Sequence, residues 1–155
     1  MSYEKAKAHL ERLGLADRIR IFEASSATVA LAAAALGTEE ARIAKSLSFA
    51  LGDTAILVIT AGDAKIDNSK YKATFGAKAK MLDLDSVERL IGHAVGGVCP
   101  FGINEGVKVY LDESLRRFDV VYPAAGTSHS AVELTVEELE RASLFDSWVD
   151  VTRLF

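Results

Sequence analysis

Cysteine and proline are scarce in this 155-residue sequence, which contains one cysteine and two prolines. A single cysteine excludes an intrachain disulfide and any metal site built on several thiolates, and it favours a reducing compartment. The three histidines show no metal-ligand spacing such as HExxH, so no metal is expected. No Walker loop or dinucleotide fingerprint is present either, and no cofactor is predicted.

Long apolar runs are missing as well. The most apolar stretches extend for about ten residues, whereas roughly 18 are needed to cross a bilayer. The N-terminal segment "MSYEKAKAHLERLG" lacks the apolar core of a secretory signal. We therefore expect a cytoplasmic protein that has no membrane partner.

An overall excess of basic residues is also absent, since 18 lysines and arginines face 22 aspartates and glutamates, a net charge of −4. This balance argues against a protein that coats nucleic acid along its whole surface, and no DNA partner is expected. The segment 65–80 is locally basic, in contrast to the acidic charge balance of the whole chain, because it contains five lysines and a single aspartate. The pattern indicates either a solvated lysine face or a patch that contacts phosphates. The five residues are Lys65, Lys70, Lys72, Lys78 and Lys80.

Half of the residues are apolar and 26% are charged, which is typical of a globular domain. Hydrophobic periodicity predicts about seven short strands and four or five helices, and no stretch of linker composition divides them. We therefore predict one α+β (mixed α/β) domain over residues 1–155, with a largely antiparallel, barrel-like sheet surrounded by helices.

Several local signals place individual elements. Gly52 and Asp53 predict a hairpin turn between two strands, and residues 79–82 predict a further strand. The predicted helix caps are Asp85, for a helix through Ile91, and the capping box of Thr135 with Glu138.

Three segments could carry chemistry. Lys45 is in phase with apolar residues of its predicted strand, so its ammonium is buried, held at the mouth of the sheet, or extended to solvent. In "VGGVCPFGINEG", Cys99 could pair with His129 as a nucleophile, or it is a small buried apolar residue. "PAAGTSHSAVEL" holds small hydrogen-bonding side chains that could bind a polar ligand or satisfy the backbone of their own turn.

The segments "ARIAKSLSF", "GDAKIDNSKYKATFGAKAKML", "GGVCPFG" and "VYPAAGTSHSAVELT", in this order and separation, resemble the YbaK/EbsC family. These proteins are aminoacyl-tRNA deacylases related to the editing domain inserted in bacterial prolyl-tRNA synthetase. The resemblance covers nearly the whole chain and implies a mixed α/β domain around an antiparallel barrel. It also implies hydrolysis of the ester between a wrong amino acid, such as cysteine or alanine, and the 3′-terminal ribose of proline tRNA.

The resemblance further implies roles for particular residues. Lys45 matches the family's invariant lysine, and Gly96 to Pro100 match its glycine-x-x-x-proline loop, a backbone cradle for the aminoacyl group. As catalytic residues, Lys45 is expected to contact the terminal nucleotide or the ester oxygen, and Ser128 with His129 to orient substrate or water. Ser46 and Phe22 stand where the family often has threonine or asparagine and tyrosine. The implied substrate-binding residues are Phe22, Ser46, Gly96, Gly97, Val98, Cys99, Pro100 and Gly126.

The expected function is thus that of a trans-editing hydrolase acting on mischarged aminoacyl-tRNA, with a prolyl-tRNA synthetase as a second expected partner. The five lysines of segment 65–80 are its expected tRNA contacts. Attack by a positioned water and help from the ribose hydroxyl both remain open, because no side chain is an obvious general base. The alternatives are a non-catalytic module that binds tRNA or a synthetase, and a thiol-dependent hydrolase that uses Cys99 and His129.

Overall fold

The computed structural model of the protein describes residues 2–155 and contains an α+β domain. The helices are α1 (Ser2–Glu11), α2 (Val29–Leu36), α3 (Asn68–Phe75), α4 (Leu84–Ile91) and α5 (Val136–Ser143), with 3₁₀ turns at Ala16–Arg18, Glu40–Arg42 and Glu113–Arg117. The strands are β1 (Ile19–Ile21), β2 (Ile43–Leu51), β3 (Thr54–Ala61), β4 (Ala64–Ile66), β5 (Lys108–Asp112), β6 (Val120–Pro123), β7 (Ser130–Val132), β8 (Leu134–Thr135), β9 (Ser147–Val149) and β10 (Thr152–Leu154).

Six strands form a strongly curled half-barrel in the order β8-β6-β2-β3-β5-β9, and the pairs β1-β7 and β4-β10 form two smaller sheets. The pairs β1-β7, β4-β10, β2-β3 and β6-β8 are antiparallel, whereas β2-β6, β3-β5 and β5-β9 are parallel. The predicted fold class is confirmed, and the parallel pairings make the half-barrel a mixed sheet.

The hairpin of β2 and β3 is the centre of the sheet. Its register runs from Leu51 opposite Thr54 to Ala44 opposite Ala61, with the predicted turn at Gly52 and Asp53 between the strands. Side chains alternate between the two faces of a strand, so Ala44, Ser46 and Ser48 share one face of β2. Ala44 belongs to the main hydrophobic core on that face. Phe49, on the opposite face, packs in a second cluster with Tyr71 of α3.

Three local predictions were wrong or incomplete. Residues 79–82 form only an isolated bridge from Met81 to Phe49, because few of their backbone groups reach β2. The N-cap of α4 is Asp83, so Asp85 lies in the first turn of the helix instead of before it. Strand β10 was not predicted. The capping box of Thr135 and Glu138 is confirmed.

Candidate functional site

Two loops meet at the carboxyl ends of α4 and β6, and glycines make the contact. A side-chain carbon added to Gly97 would lie 2.5 Å from the backbone nitrogen of Thr127, so only glycine allows this approach. A carbon added to Gly96 would lie 3.1 Å from the Cβ atom of Ser128. Gly126 itself abuts the first turn of α1, where a Cβ atom would lie 2.6 Å from the carbonyl oxygen of Ser2. The backbones of the glycine–proline loop and of the Gly126–His129 turn are therefore in direct contact.

The segment before α2 is tied to the same turn. The backbone N–H of Ser26 donates to the carbonyl of Ser128 at 2.6 Å, and the Ser26 hydroxyl donates to the same oxygen at 3.1 Å. The Ser130 hydroxyl donates to the Thr127 carbonyl at 3.0 Å and accepts from the Ala125 N–H at 3.1 Å. These serines satisfy backbone groups and fix the turn.

A cavity of about 230 Å³ lies between this junction and strand β2. Ligand pockets for drug-sized molecules start near 300 Å³, so the space suits a small group. Among residues 2–155, its wall is apolar apart from hydroxyl groups and Lys45, and no carboxylate lines it. The lining residues are Ser26, Ala27, Thr28, Val29, Ala32, Ile43, Ala44, Lys45, Ser46, Ser48, Met81, Leu82, Leu84, Val87, Val95, Gly96, Val98, Tyr122, Ala124, Ser130 and Ala131.

Ser46 and Ser48 bring hydroxyl groups from β2 to the cavity wall. The Ser46 hydroxyl is buried and has no hydrogen-bond partner in residues 2–155. Such groups are rare in native structures, because a buried hydroxyl without a partner is unfavourable. This unpaired hydroxyl marks the predicted binding residue Ser46 as a point where a ligand could bind.

A second groove of about 360 Å³ adjoins the cavity and shares Val95 with it. Gly97, Gly126 and Ser128 line this groove, together with the first residues of α1. The Ser128 hydroxyl lies 2.9 Å from Nδ1 of His129, so the two predicted residues form a hydrogen-bonded pair.

Lys45 lies at the cavity wall, but its ammonium is held outside it. The ammonium donates to the Ala64 carbonyl and lies 5.5 Å from the centroid of the Phe155 ring, and neither of those residues lines the cavity. Burial lowers the pKa of the Lys45 ammonium, and the nearby Asp63 carboxylate partly offsets that change. Lys45 thus borders the cavity, whereas Ser128 borders the groove and its partner His129 lines neither.

Cys99 is fully buried and lines neither depression. Its sulfur lies 3.5 Å from Nε2 of His93 and 3.8 Å from the Phe101 carbonyl, and burial raises the pKa of the thiol to about 12. A thiol that is neutral at pH 7 and shielded from solvent is a poor nucleophile. The structure does not favour the alternative of a Cys99–His129 catalytic pair, because the histidine beside the sulfur is His93.

The remaining predicted binding residues surround the site more loosely. Val98 lines the cavity, whereas Pro100 is buried and lines neither depression. Phe22 is half-buried, and its backbone N–H donates to the His129 carbonyl at 2.8 Å. The structure therefore brings the Phe22 backbone to the Ser128–His129 turn without bringing its ring to the cavity wall.

All five lysines of segment 65–80 are exposed. Lys70 pairs with Asp150 at 3.1 Å, and the Lys65 ammonium lies 5.8 Å from the Phe155 ring centroid. Lys72, Lys78 and Lys80 make no salt bridge with residues 2–155. These three cations are available to a partner.

Comparison with known families gives this site a context. Residues 23–142 match the model of the aminoacyl-tRNA editing domain. The chain belongs to this family. The match confirms the predicted family, and the matched range contains every residue that lines the cavity.

Individual relatives agree with this assignment. The YwhH protein of Bacillus subtilis (strain 168), whose function is uncharacterized, is 48% identical over 154 residues, covering 99% of this chain and 98% of its own. The proline–tRNA ligase of Bacillus cereus (strain AH820) is 25% identical over 113 residues, which are 72% of this chain and 19% of the ligase. A solved structure described as a candidate trans-editing enzyme for prolyl tRNA synthetase has a TM-score of 0.87 and 30% identity, covering 98% of this chain and 97% of that one.

Sequence reasoning assigned no site role to Ser26 and Ser48, two hydroxyl-bearing residues of this editing domain's cavity, although "AKSLSF" places Ser48 in phase with Ser46 and could have identified it. Ser130 lies in the predicted segment "PAAGTSHSAVEL" and does line the cavity. Ser26 reaches the cavity through long-range contacts that no local pattern contains. No helix among residues 2–155 is both long and apolar enough to span a membrane.

Proposed function

We propose that this editing domain hydrolyses mischarged aminoacyl-tRNA, with a small amino acid such as cysteine or alanine esterified to proline tRNA as its substrate. One observation carries the proposal: the residues that match the editing family also enclose a cavity sized for a small side chain. Similarity to proline–tRNA ligase supports proline tRNA as the carrier and a prolyl-tRNA synthetase as a partner. Because aminoacyl-tRNA is cytoplasmic, the protein is placed there too.

In this proposal the amino acid enters the cavity and the terminal ribose lies over the adjoining groove. The ester then sits near Val95 and Gly96, where the two depressions meet. The backbone N–H groups of Gly96 and Val98 donate no hydrogen bond within residues 2–155, and we assign them to the ester carbonyl oxygen. Such donors stabilise the negative charge that develops there during attack.

The reaction adds one water across the ester. The water oxygen bonds to the carbonyl carbon, the bond from that carbon to the ribose oxygen breaks, and the ribose oxygen takes up a proton. Ser128 and His129 orient the water or the neighbouring ribose hydroxyl. Lys45 contacts the terminal nucleotide or the ester oxygen after its ammonium leaves the Ala64 carbonyl, and it adds positive charge.

Selection against correctly charged tRNA is steric in this proposal. A cavity of this size excludes larger side chains more effectively than it rejects smaller ones, since one methylene in an apolar pocket changes binding by only about 1 to 3 kcal/mol. Similar hydrolysis rates for small and large aminoacyl esters would contradict it.

The test is deacylation of proline tRNA charged with alanine, serine, cysteine or proline, by wild type, Lys45→Ala and Cys99→Ala. We expect wild type to cleave at least one mischarged ester, Lys45→Ala to lose that activity, and Cys99→Ala to keep most of it. Binding of the tRNAs without cleavage of any ester would instead identify a non-catalytic binding module.

A further inference from the structure

An exposed aromatic ring follows the last strand of the protein and lies among basic side chains. Phe155 comes directly after β10, and 80% of the residue is exposed. Its backbone N–H donates to the Asp63 carbonyl at 3.1 Å. The centroid of its ring lies 5.5 Å from the Lys45 ammonium and 5.8 Å from the Lys65 ammonium, both within the range of cation–π attraction. Cations from two strands, β2 and β4, thus meet one solvent-exposed ring.

A third cation lies on the same side of the small sheet that β4 and β10 form. Arg153 is directly opposite Lys65 in this antiparallel pair, so their side chains share one face, and alternation along the chain brings Phe155 to that face too. Like charges in directly opposite positions destabilise a strand pair. Neither cation forms a salt bridge with a described acidic residue. The fold does not explain this pair of charges, whereas binding of an anionic partner does.

The carboxylate at the adjoining turn is already engaged. Both oxygens of Asp63 accept hydrogen bonds from the Arg117 guanidinium, at 3.0 and 2.5 Å. The Asp63–Arg117 pair has no net charge, so the three other side chains set a positive potential at the ring. These side chains are Lys45, Lys65 and Arg153.

The strand that presents the ring is anchored from inside the protein. The buried Asp112 carboxylate accepts from the Val151 N–H at 2.9 Å and from the Thr152 hydroxyl at 2.7 Å. The Lys70 ammonium donates to the Thr152 carbonyl at 2.9 Å. Because β10 is fixed in this way, a ligand that stacks on Phe155 loses little affinity to ordering of the backbone.

An open ring beside cations fits one kind of ligand group, an unpaired nucleobase with its phosphate. Single-stranded bases stack on aromatic side chains, and lysine and arginine neutralise the backbone between them. The unpaired 3′ nucleotides of tRNA supply both groups, whereas the bases of its double-stranded stem are already stacked on one another. Lys45 lines the cavity while its ammonium lies at the ring, so the ring is next to the proposed ester site.

We propose that Phe155 is a stacking platform for an unpaired base of the tRNA 3′ end, and that Lys65 and Arg153 bind the adjoining phosphate. This inference rests on the proposed tRNA substrate and adds a nucleotide-binding site to it. Phe155 is a positioning residue, because it contacts a base and not the ester. Phe155 and Arg153 lie outside residues 23–142, the range that matches the editing domain, so the platform is a feature of this chain's last strand.

The experiment measures binding of uncharged, 5′-labelled proline tRNA by fluorescence anisotropy, with the tRNA either intact or lacking its unpaired 3′ nucleotides. Stacking on one aromatic ring predicts that Phe155→Ala weakens binding of intact tRNA by about fivefold to a hundredfold. Phe155→Leu should lose as much, because it keeps an apolar side chain without a flat ring, and Phe155→Tyr should bind as wild type does. The matched control is Leu154→Ala, the exposed apolar neighbour on the other face of the strand, which should change nothing.

The truncated tRNA shows whether the ring meets the 3′ end. We expect wild type and Phe155→Ala to bind it equally and weakly. An equal loss for intact and truncated tRNA, wild-type affinity in Phe155→Ala or in Phe155→Leu, or no binding of intact tRNA by wild type overturns the inference. Since Phe155 is exposed, Phe155→Ala should melt within about 2 °C of wild type, so that a loss of binding does not reflect unfolding.

The phosphate contact has its own test. Arg153→Ala should flatten the slope of log affinity against log salt by about 0.7, the value for one contact with a single strand. An unchanged slope with intact tRNA removes Arg153 from the proposed site.

Ester cleavage by the same variants separates failure of this inference from failure of the proposed function. If the binding results are as expected but no mischarged ester is cleaved, the deacylase function is wrong and the stacking platform stands. If wild type and Phe155→Ala cleave an ester with equal kcat/KM and bind intact tRNA equally, the platform is wrong and the deacylase function stands.

Discussion

Gly97→Ala tests whether the contact between the two loops depends on the absence of a side chain. The added carbon would lie 2.5 Å from the Thr127 nitrogen and 2.6 Å from the Gly126 carbonyl carbon, whereas ordinary contact begins at 3.4 Å. The obstructing atoms are backbone, so no side chain can rotate away. One loop must move by about 0.9 Å, the difference between 3.4 and 2.5 Å.

Such overpacking lowers the free energy of unfolding by about 1 to 3 kcal/mol, and a backbone obstacle favours the upper half of that range. For a domain of this size each 1 kcal/mol shifts the melting temperature by roughly 2 to 4 °C, so we expect a decrease of about 4 to 12 °C. Ester cleavage should fall as well, because the movement separates Gly96 from Ser128 across the site.

Gly106→Ala is the matched control for thermal unfolding followed by circular dichroism. Gly106 has a φ of +87°, and no described residue comes within 4 Å of a carbon added there, so alanine incurs only the backbone penalty, about 1 to 2 kcal/mol. The steric account is refuted if Gly97→Ala melts within about 2 °C of wild type.

Three other predictions can be checked independently. Lys72→Ala/Lys78→Ala should weaken tRNA binding and flatten the slope of log affinity against log salt by about 1.5, and an unchanged slope would exclude these lysines from the interface. Because burial raises the pKa of the Cys99 thiol to about 12, the stability that it contributes is complete below its unfolded pKa of about 8.5 and is lost as pH rises toward 12. Denaturant titrations should show that loss in wild type and not in Cys99→Ala. Asp112→Ala should destabilise the protein by about 2 to 4 kcal/mol in urea unfolding, because this buried carboxylate accepts hydrogen bonds from the Val151 N–H at 2.9 Å and the Thr152 hydroxyl at 2.7 Å. A loss below 1 kcal/mol would show that those bonds contribute little.

Elements with a local chemical cause could be predicted from the sequence. The capping box of Thr135 and Glu138 lies within four residues, and the turn at Gly52 and Asp53 joins strands that pair directly. In each case the residues that fix the element are neighbours in the chain, so no tertiary information is required.

The site depends on contacts between distant segments of the chain, and these contacts could not be predicted from local sequence patterns. Ser26 and Ser128 are 102 residues apart, yet they share a hydrogen bond that helps to shape the cavity. The partner of Cys99 could not be read from the chain, since His93 and His129 were equally available as histidines. Strand β10 is short and pairs with the equally short β4, whose residues precede it by more than 80 positions, so hydrophobic alternation gave no signal for either.

The distribution of unpaired polar groups separates the parts of the loop junction that maintain the fold from the parts available for chemistry. At the glycine contacts and at Ser26 and Ser130, every close approach satisfies or packs a backbone group, so these residues are explained by the fold alone. Ser46 differs, because alanine at that position would remove a buried, unpaired hydroxyl and leave the surrounding hydrogen bonds intact. The fold does not require Ser46, which lies at the wall of a cavity whose lining residues all fall within the range that matches the editing domain. Ser46 is therefore best explained by what the cavity binds.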